Sequence, residues 1–145
     1  MKIYKIDLNS TDDITREIVR LICKFSHRIE FMNKYSLNTV YRYLCNVRYS
    51  RDKAYNEYIV SPDKGIKLSS ADCKKKHIIL GSYCKNNKIP FRIVLSSTRK
   101  DGEFHHIFIQ CLIDNVWVNH DCTYNTNWIG KPNRGTKFKF IVMEC

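Results

Sequence analysis

A cysteine at a helix start, histidines opening a strand and an aspartate closing the next strand are the residues whose types and order could do chemistry. They lie in Ala71-Asp72-Cys73, His105-His106-Ile107-Phe108-Ile109-Gln110 and Trp117-Val118-Asn119-His120-Asp121-Cys122-Thr123. A thiol attacks a carbonyl well only as a thiolate. It needs an imidazole to take its proton, and the imidazole needs an acceptor to hold its tautomer. Cysteine, histidine and aspartate on three separate elements supply those roles for acyl transfer. With 7 cysteines and 5 histidines, accidental trios abound, so order and flanking residues carry the weight.

Cys73 follows a helix start near Asp72, which puts its sulfur by the positive end of the helix dipole and favours the thiolate. Lys74, Lys75 and Lys76 are expected to add positive potential at the site, and the Cys73 amide to be one oxyanion donor. His105 and His106 compete for the base. Adjacent on a strand, they face opposite sides. His105 shares a face with Ile107, Ile109, Cys111 and Ile113, which reads as the packed face and makes it a core or rim residue. Asp121 or His120 can orient the base, and Asp121 can instead cap a turn with Thr123.

A metal site is the rival chemistry. Cys73 and His77 lie at i, i+4 of one helix, and His120 and Cys122 alternate on a strand, so with His106 they could surround zinc. The paired short-spacing knuckles of such sites are missing. No metal or cofactor is therefore expected, and His77 reads as a packing residue. Trp117 and Trp128 read as core or rim packing.

The elements that must position these groups follow from periodicity. Residues 11 to about 32 carry Ile14, Ile18, Leu21, Ile22, Phe25, Ile29 and Met32 at helical spacing, with Ser10 as N-cap and Asp12 and Asp13 favouring the dipole. A second helix is predicted over about 37 to 47, and a third from Asp72 to about Asn86. Ser50 to Gly65 reads as a connection or a short strand with turns. Met1 to Asp7 alternates like a strand. Further strands are predicted at 91–97, 104–113, 116–120 and 137–142, with turns at Lys100-Asp101-Gly102 and Asp114-Asn115. Helices first and an antiparallel meander after them imply an α+β domain over 1–145.

Composition sets the outer bounds. A chain of 145 residues with 43% hydrophobic content can build a core without staples. No apolar run approaches the roughly 20 residues that cross a membrane, so no membrane partner is expected, nor is a signal peptide visible. The odd cysteine count, without Cys-x-x-Cys spacing, suits a reducing compartment better than a disulfide framework. Residence in a cytosol is expected. The net charge of +11 permits a polyanionic partner such as nucleic acid, but apart from Lys74-Lys75-Lys76 and the tail with Lys131, Arg134, Lys137 and Lys139 the charges are scattered, and no nucleic-acid motif accompanies them.

Six segments occur in one order: Tyr49 with Asp52, Asn56 to Pro62, Ala71-Asp72-Cys73, Lys88-Ile89-Pro90-Phe91-Arg92, His106 to Gln110, and Trp117 to Thr123. In that order and spacing the chain resembles the transglutaminase-like superfamily of papain-type thiol enzymes, most closely its small bacterial and phage branch. Ala71 stands where that branch has Gly, Lys74 and Lys75 where acidic residues are frequent, Gln110 for Glu, and Cys122 for Pro. The resemblance implies a papain/transglutaminase-like core of N-terminal helices on an antiparallel meander. It selects His106 as base by its spacing to Phe108 and Gln110, with Cys73 as nucleophile and Asp121 as orienter. It implies a cysteine peptidase or amidase acting on a polypeptide, in host cytoplasm or virion-associated if phage-encoded. The alternatives are a protein-glutamine transglutaminase and a non-catalytic interaction protein on the same fold.

Overall fold

The described residues of this computed structural model are 3–6, 11–51, 57–98 and 103–145. In chain order they form β1 (Ile3–Ile6), α1 (Thr11–Phe25), a 3-10 stretch (Ser26–Lys34), α2 (Leu37–Asn46), β2 (Arg48–Tyr49), β3 (Glu57–Val60) and α3 (Pro62–Gly65). Then come β4 (Ser70–Ala71), α4 (Cys73–Asn86), β5 (Phe91–Ser97), β6 (His106–Ile113), β7 (Val116–His120) and β8 (Lys137–Val142). The fold is α+β, as the order of periodicities implies. Its main sheet is antiparallel in the order β7-β6-β5-β8. β1 pairs antiparallel with β3, and β2 pairs parallel with β4. The parallel β2–β4 pair brings the end of α2 beside the start of α4.

α4 is the central element. Ile78, Ile79, Leu80, Tyr83 and Cys84 are buried, and so are Ile93, Leu95, Ile107, Ile109 and Cys111 of the sheet face it meets. Burying that apolar surface is the main driving force for holding helix to sheet. Gly81 marks the closest approach: a Cβ there would stand 2.8 Å from Ile22 Cδ1 and 3.2 Å from Ile109 Cδ1. The β6–β7 hairpin closes through Asp114 and Asn115 at φ 50° and 65°. This is the left-handed pair that a two-residue turn requires and that Asp and Asn tolerate.

Two expectations are corrected. The first long helix ends at Phe25, not near Met32, and continues as a 3-10 stretch bent at Ile29. Two things break it. Ser26 O accepts from Asn86 Nδ2 at 2.7 Å and Ser26 Oγ from Lys85 Nζ at 3.0 Å, so α4 competes for the helix's polar groups. The three-residue period of the 3-10 form then turns Ser26, Ile29 and Met32 inward together. The second correction concerns cysteine. Cys23 and Cys145 are disulfide-bonded across 122 residues, which removes the cysteine-usage argument for a reducing compartment. Such a separation carries no spacing signal. Cys45, Cys73, Cys84, Cys111 and Cys122 are buried thiols. Among the described residues no helix is long and apolar enough to cross a membrane. The Ser10 cap, Asp52, Asn56, the Lys100-Asp101-Gly102 turn, and Met1, Lys2 and Asp7 lie outside the described residues.

Candidate active site

Cys73 is the first residue of α4, and Asp72 caps the helix by accepting the Lys75 amide on Oδ1 at 3.0 Å. The thiol lines a cavity of about 450 Å³ together with His106 and Asp121. His106 opens β6, and its Nε2 donates to Asp121 Oδ2 at 2.7 Å. The Cys73 side chain also acts on the ring, favouring its charged form, so sulfur and carboxylate both bear on one imidazole. Phe108 stacks beside the ring, with centroids 5.8 Å apart.

Asp121 performs both jobs that its sequence context offered. Oδ2 faces His106, while Oδ1 accepts the Thr123 amide at 3.0 Å and the Thr123 hydroxyl at 2.6 Å. Its carbonyl accepts from Tyr41 Oη at 3.0 Å and Asn127 Nδ2 at 3.1 Å. His120 does not reach the base. It points into the core, where Nδ1 donates to Val118 O at 2.9 Å and the ring sits edge-on to Tyr41. His105 is at the rim rather than in the core: it is exposed, just outside β6, with Nε2 3.5 Å from Thr98 Oγ1.

The lysines behave differently from expectation. Lys74 Nζ lies 2.8 Å from Asp72 Oδ2, and Lys75 Nζ 3.8 Å from Asp72 Oδ1. Lys76 is fully buried, its ammonium donating to Val47 O at 2.6 Å and Thr123 O at 2.7 Å. Asp72, unweighed as a partner on sequence grounds, takes up two of the charges, and the interior takes the third. The cations that line the cavity are instead Arg51, Lys131 and Arg134. The sequence reading also missed Tyr41, Lys76 and Asn127 as supports of the Asp121 segment. Only Lys76 left a signal: a lysine on the run into Ile78-Ile79-Leu80 breaks the polar–apolar pattern.

Electrostatics follow the contacts. Burial works to lower His106, but hydrogen bonds to Asp121 and Cys73 and their charges overcome it and raise the imidazole to about 10. Burial works to raise Asp121, yet the His106 hydrogen bond, the neighbouring His77 and His106, and Thr123 hold the carboxyl well below its ordinary range. His77 is lowered to about 4, chiefly by complete burial.

These shifts give a signed expectation. Between its ordinary value and about 4, His77 is protonated in the unfolded chain and neutral in the folded one. Stability therefore falls as pH falls through that window, by about 3 kcal/mol at full effect. Asp121, depressed in the fold, adds a further loss at still lower pH. His106 contributes in the opposite sense, with stability present below its ordinary value and lost as pH climbs through about 10. Melting temperatures measured across the acid range should fall well before ordinary carboxylates protonate. A flat profile down to about pH 4 would show that no buried neutral imidazole is at work.

Residues 24–122, more than half of the chain, match the family model of the transglutaminase-like superfamily. The chain belongs to that superfamily. The match ends at Cys122, so it takes in Cys73, His106 and Asp121 together. No curated protein matches the chain. A solved structure from Cytophaga hutchinsonii, of a protein proposed to be a cysteine protease, is similar at 14% identity and a TM-score of 0.43. The alignment covers 94% of this chain and 52% of that one, so the chain spans about half the length of that relative. Superfamily membership makes this a thiol-enzyme fold. Among the described residues no group of three or more His, Cys, Asp or Glu side chains stands close enough to hold a metal ion.

Proposed function

We propose that residues 1–145 act as one domain, a cysteine peptidase or amidase whose substrate is a polypeptide. The observation that carries the proposal is the His106 Nε2–Asp121 Oδ2 contact of 2.7 Å, in a cavity that Cys73 also lines. His106 takes the Cys73 proton and is held as imidazolium by Asp121. The thiolate adds to a backbone or side-chain amide carbonyl, and the oxyanion meets the Cys73 amide, one of the first-turn donors that a helix leaves unpaired. His106 gives its proton to the departing amine as the acyl–sulfur bond remains. It then takes a proton from water, whose oxygen attacks the thioester and frees the acid and the thiol.

Whether water or an amine finishes the reaction depends on what the cavity admits. Arg51, Lys131 and Arg134 line it, and Asp121, already paired with His106, is the carboxylate among its described lining residues. That balance repels a lysine ammonium and favours acidic or neutral substrates. Hydrolysis is therefore expected to exceed cross-linking. The test is a mixed peptide library incubated with an amine-bearing fluorophore, with Cys73→Ala as blank and mass spectrometry as readout. Cleaved acidic or neutral peptides that depend on Cys73 are the expected products. Cys73-dependent amine adducts in excess of cleavage would make the protein a transglutaminase. No Cys73-dependent product of either kind would assign it a non-catalytic role.

A further inference from the structure

We propose that His77, with Lys76 beside it, is a positioning residue of this site: the two lock the start of α4 to the segment carrying Asp121 and so keep thiol, imidazole and carboxylate in register. The inference rests on the reading of Cys73, His106 and Asp121 given above.

His77 is 1% exposed and uses both ring nitrogens. Nδ1 stands 2.8 Å from Cys73 O, and a carbonyl only accepts, so Nδ1 carries the proton. Nε2 then has a lone pair, and it accepts the Cys122 amide at 3.2 Å. One neutral ring therefore ties the carbonyl of the nucleophile's own residue to the amide that directly follows Asp121. Its Nε2 is 3.7 Å from Asp121 Oδ1, and the Cys122 sulfur is 3.5 Å from the same nitrogen. A second proton on the ring would set an N–H against the Cys122 N–H and break the tie.

Lys76 makes the parallel link one residue earlier. Its ammonium joins Val47 O, at the end of α2, to Thr123 O, two residues past Asp121. A buried ammonium gains little net stability, because the cost of its desolvation offsets the bonds to its two carbonyl partners. What it does supply is a fixed position. Packing alone would leave α4 free to slide by small amounts against the 121–123 segment. Two successive side chains that end on residues 122 and 123 remove that freedom.

The test uses the full chain with His77→Ala, His77→Gln and Lys76→Met. Three quantities are read: melting temperature, the Cys73 alkylation rate by iodoacetamide at about pH 6, and the His106 titration followed by ¹⁵N NMR. A Cys73→Ala blank removes the other thiols' contribution. In the wild type, fast alkylation of Cys73 and a His106 that stays protonated well above neutrality are expected. His77→Ala should lose roughly 10- to 100-fold in alkylation rate, as loss of an orienting outer group does elsewhere, and His106 should move toward its ordinary range. His77→Gln, which can still accept the Cys122 amide, should recover part of both. Lys76→Met leaves the Val47 and Thr123 carbonyls without their donor and should melt lower, but while folded it should also show the same kind of rate loss, which a purely structural lysine would not give. Variants that melt lower but, while folded, keep the wild-type rate and His106 titration overturn the positioning role. If His77→Ala does not fold, His77→Gln and Lys76→Met decide in the same way. A wild-type Cys73 no more reactive than the other thiols, with His106 titrating in its ordinary range, overturns the functional reading itself and the clamp with it.

Discussion

His106→Ala is expected to stay folded and to lose on the order of 10⁴-fold in peptide turnover, while His105→Ala keeps both its fold and its activity. The two residues are neighbours, and the difference lies in the pleat. His106 pairs with Ser96 in the β5–β6 register and turns its ring to Asp121 and Cys73. Truncating it removes the proton acceptor and leaves Asp121 to water and Thr123. Its side chain is only partly buried, at 18% exposure, so the cost in stability should be modest beside the cost in rate. His105 is exposed. The sequence pattern alone would put a stability penalty on its replacement, because it shares a face with Ile107, Ile109 and Cys111. Its exposed position outside β6 removes that penalty. Circular dichroism melts and cleavage of the peptides identified by the library screen separate the two effects. Loss of turnover in His105→Ala with His106→Ala active would mean that β6 is shifted by one residue, which exchanges the faces of every side chain along it.

The strands were legible because their signals are local. The alternation of Lys137–Val142, the apolar runs within Phe91–Ser97 and Val116–His120, and the Asp114-Asn115 turn need no partner to be recognised, and the element bounds coincide with those predicted. The order cysteine, histidine, aspartate was legible for the same reason: each sits at the end of an element. What the sequence hid is what depends on long-range contact. α1 gives way to a 3-10 stretch because Asn86 and Lys85, some sixty positions later, bind Ser26. Cys23 finds Cys145 across nearly the whole chain. Lys74, Lys75 and Lys76 look alike in a sequence, yet the fold divides them, two to Asp72 and one inward. The charge of the cavity therefore comes from Arg51, Lys131 and Arg134, which nothing in the local sequence ties to Cys73.

Asp121→Asn is the second large effect, and it separates orientation from charge. Asparagine keeps the volume, and its oxygen can still accept the Thr123 amide and hydroxyl that Oδ1 now accepts at 3.0 Å and 2.6 Å. The turn should survive, with the Tyr41 and Asn127 bonds to the backbone carbonyl untouched. The amide nitrogen then faces His106 Nε2, and an N–H cannot accept from an N–H. The ring must present its Nε2 lone pair and carry its proton on the nitrogen toward Cys73. In that tautomer it cannot take the thiol proton, and a loss on the order of 10⁴-fold in turnover is expected. The second consequence is electrostatic. The hydrogen bond and charge of Asp121 lead the influences that lift His106 to about 10 against burial. Without them burial wins, and the imidazole should titrate at or below its ordinary value of roughly 6.5. The ¹⁵N shifts of His106 report both events, since tautomer and protonation state give distinct signatures. Turnover within about tenfold of wild type, with His106 still protonated above neutrality, would remove Asp121 from the mechanism and leave its bonds to Thr123 as its whole role.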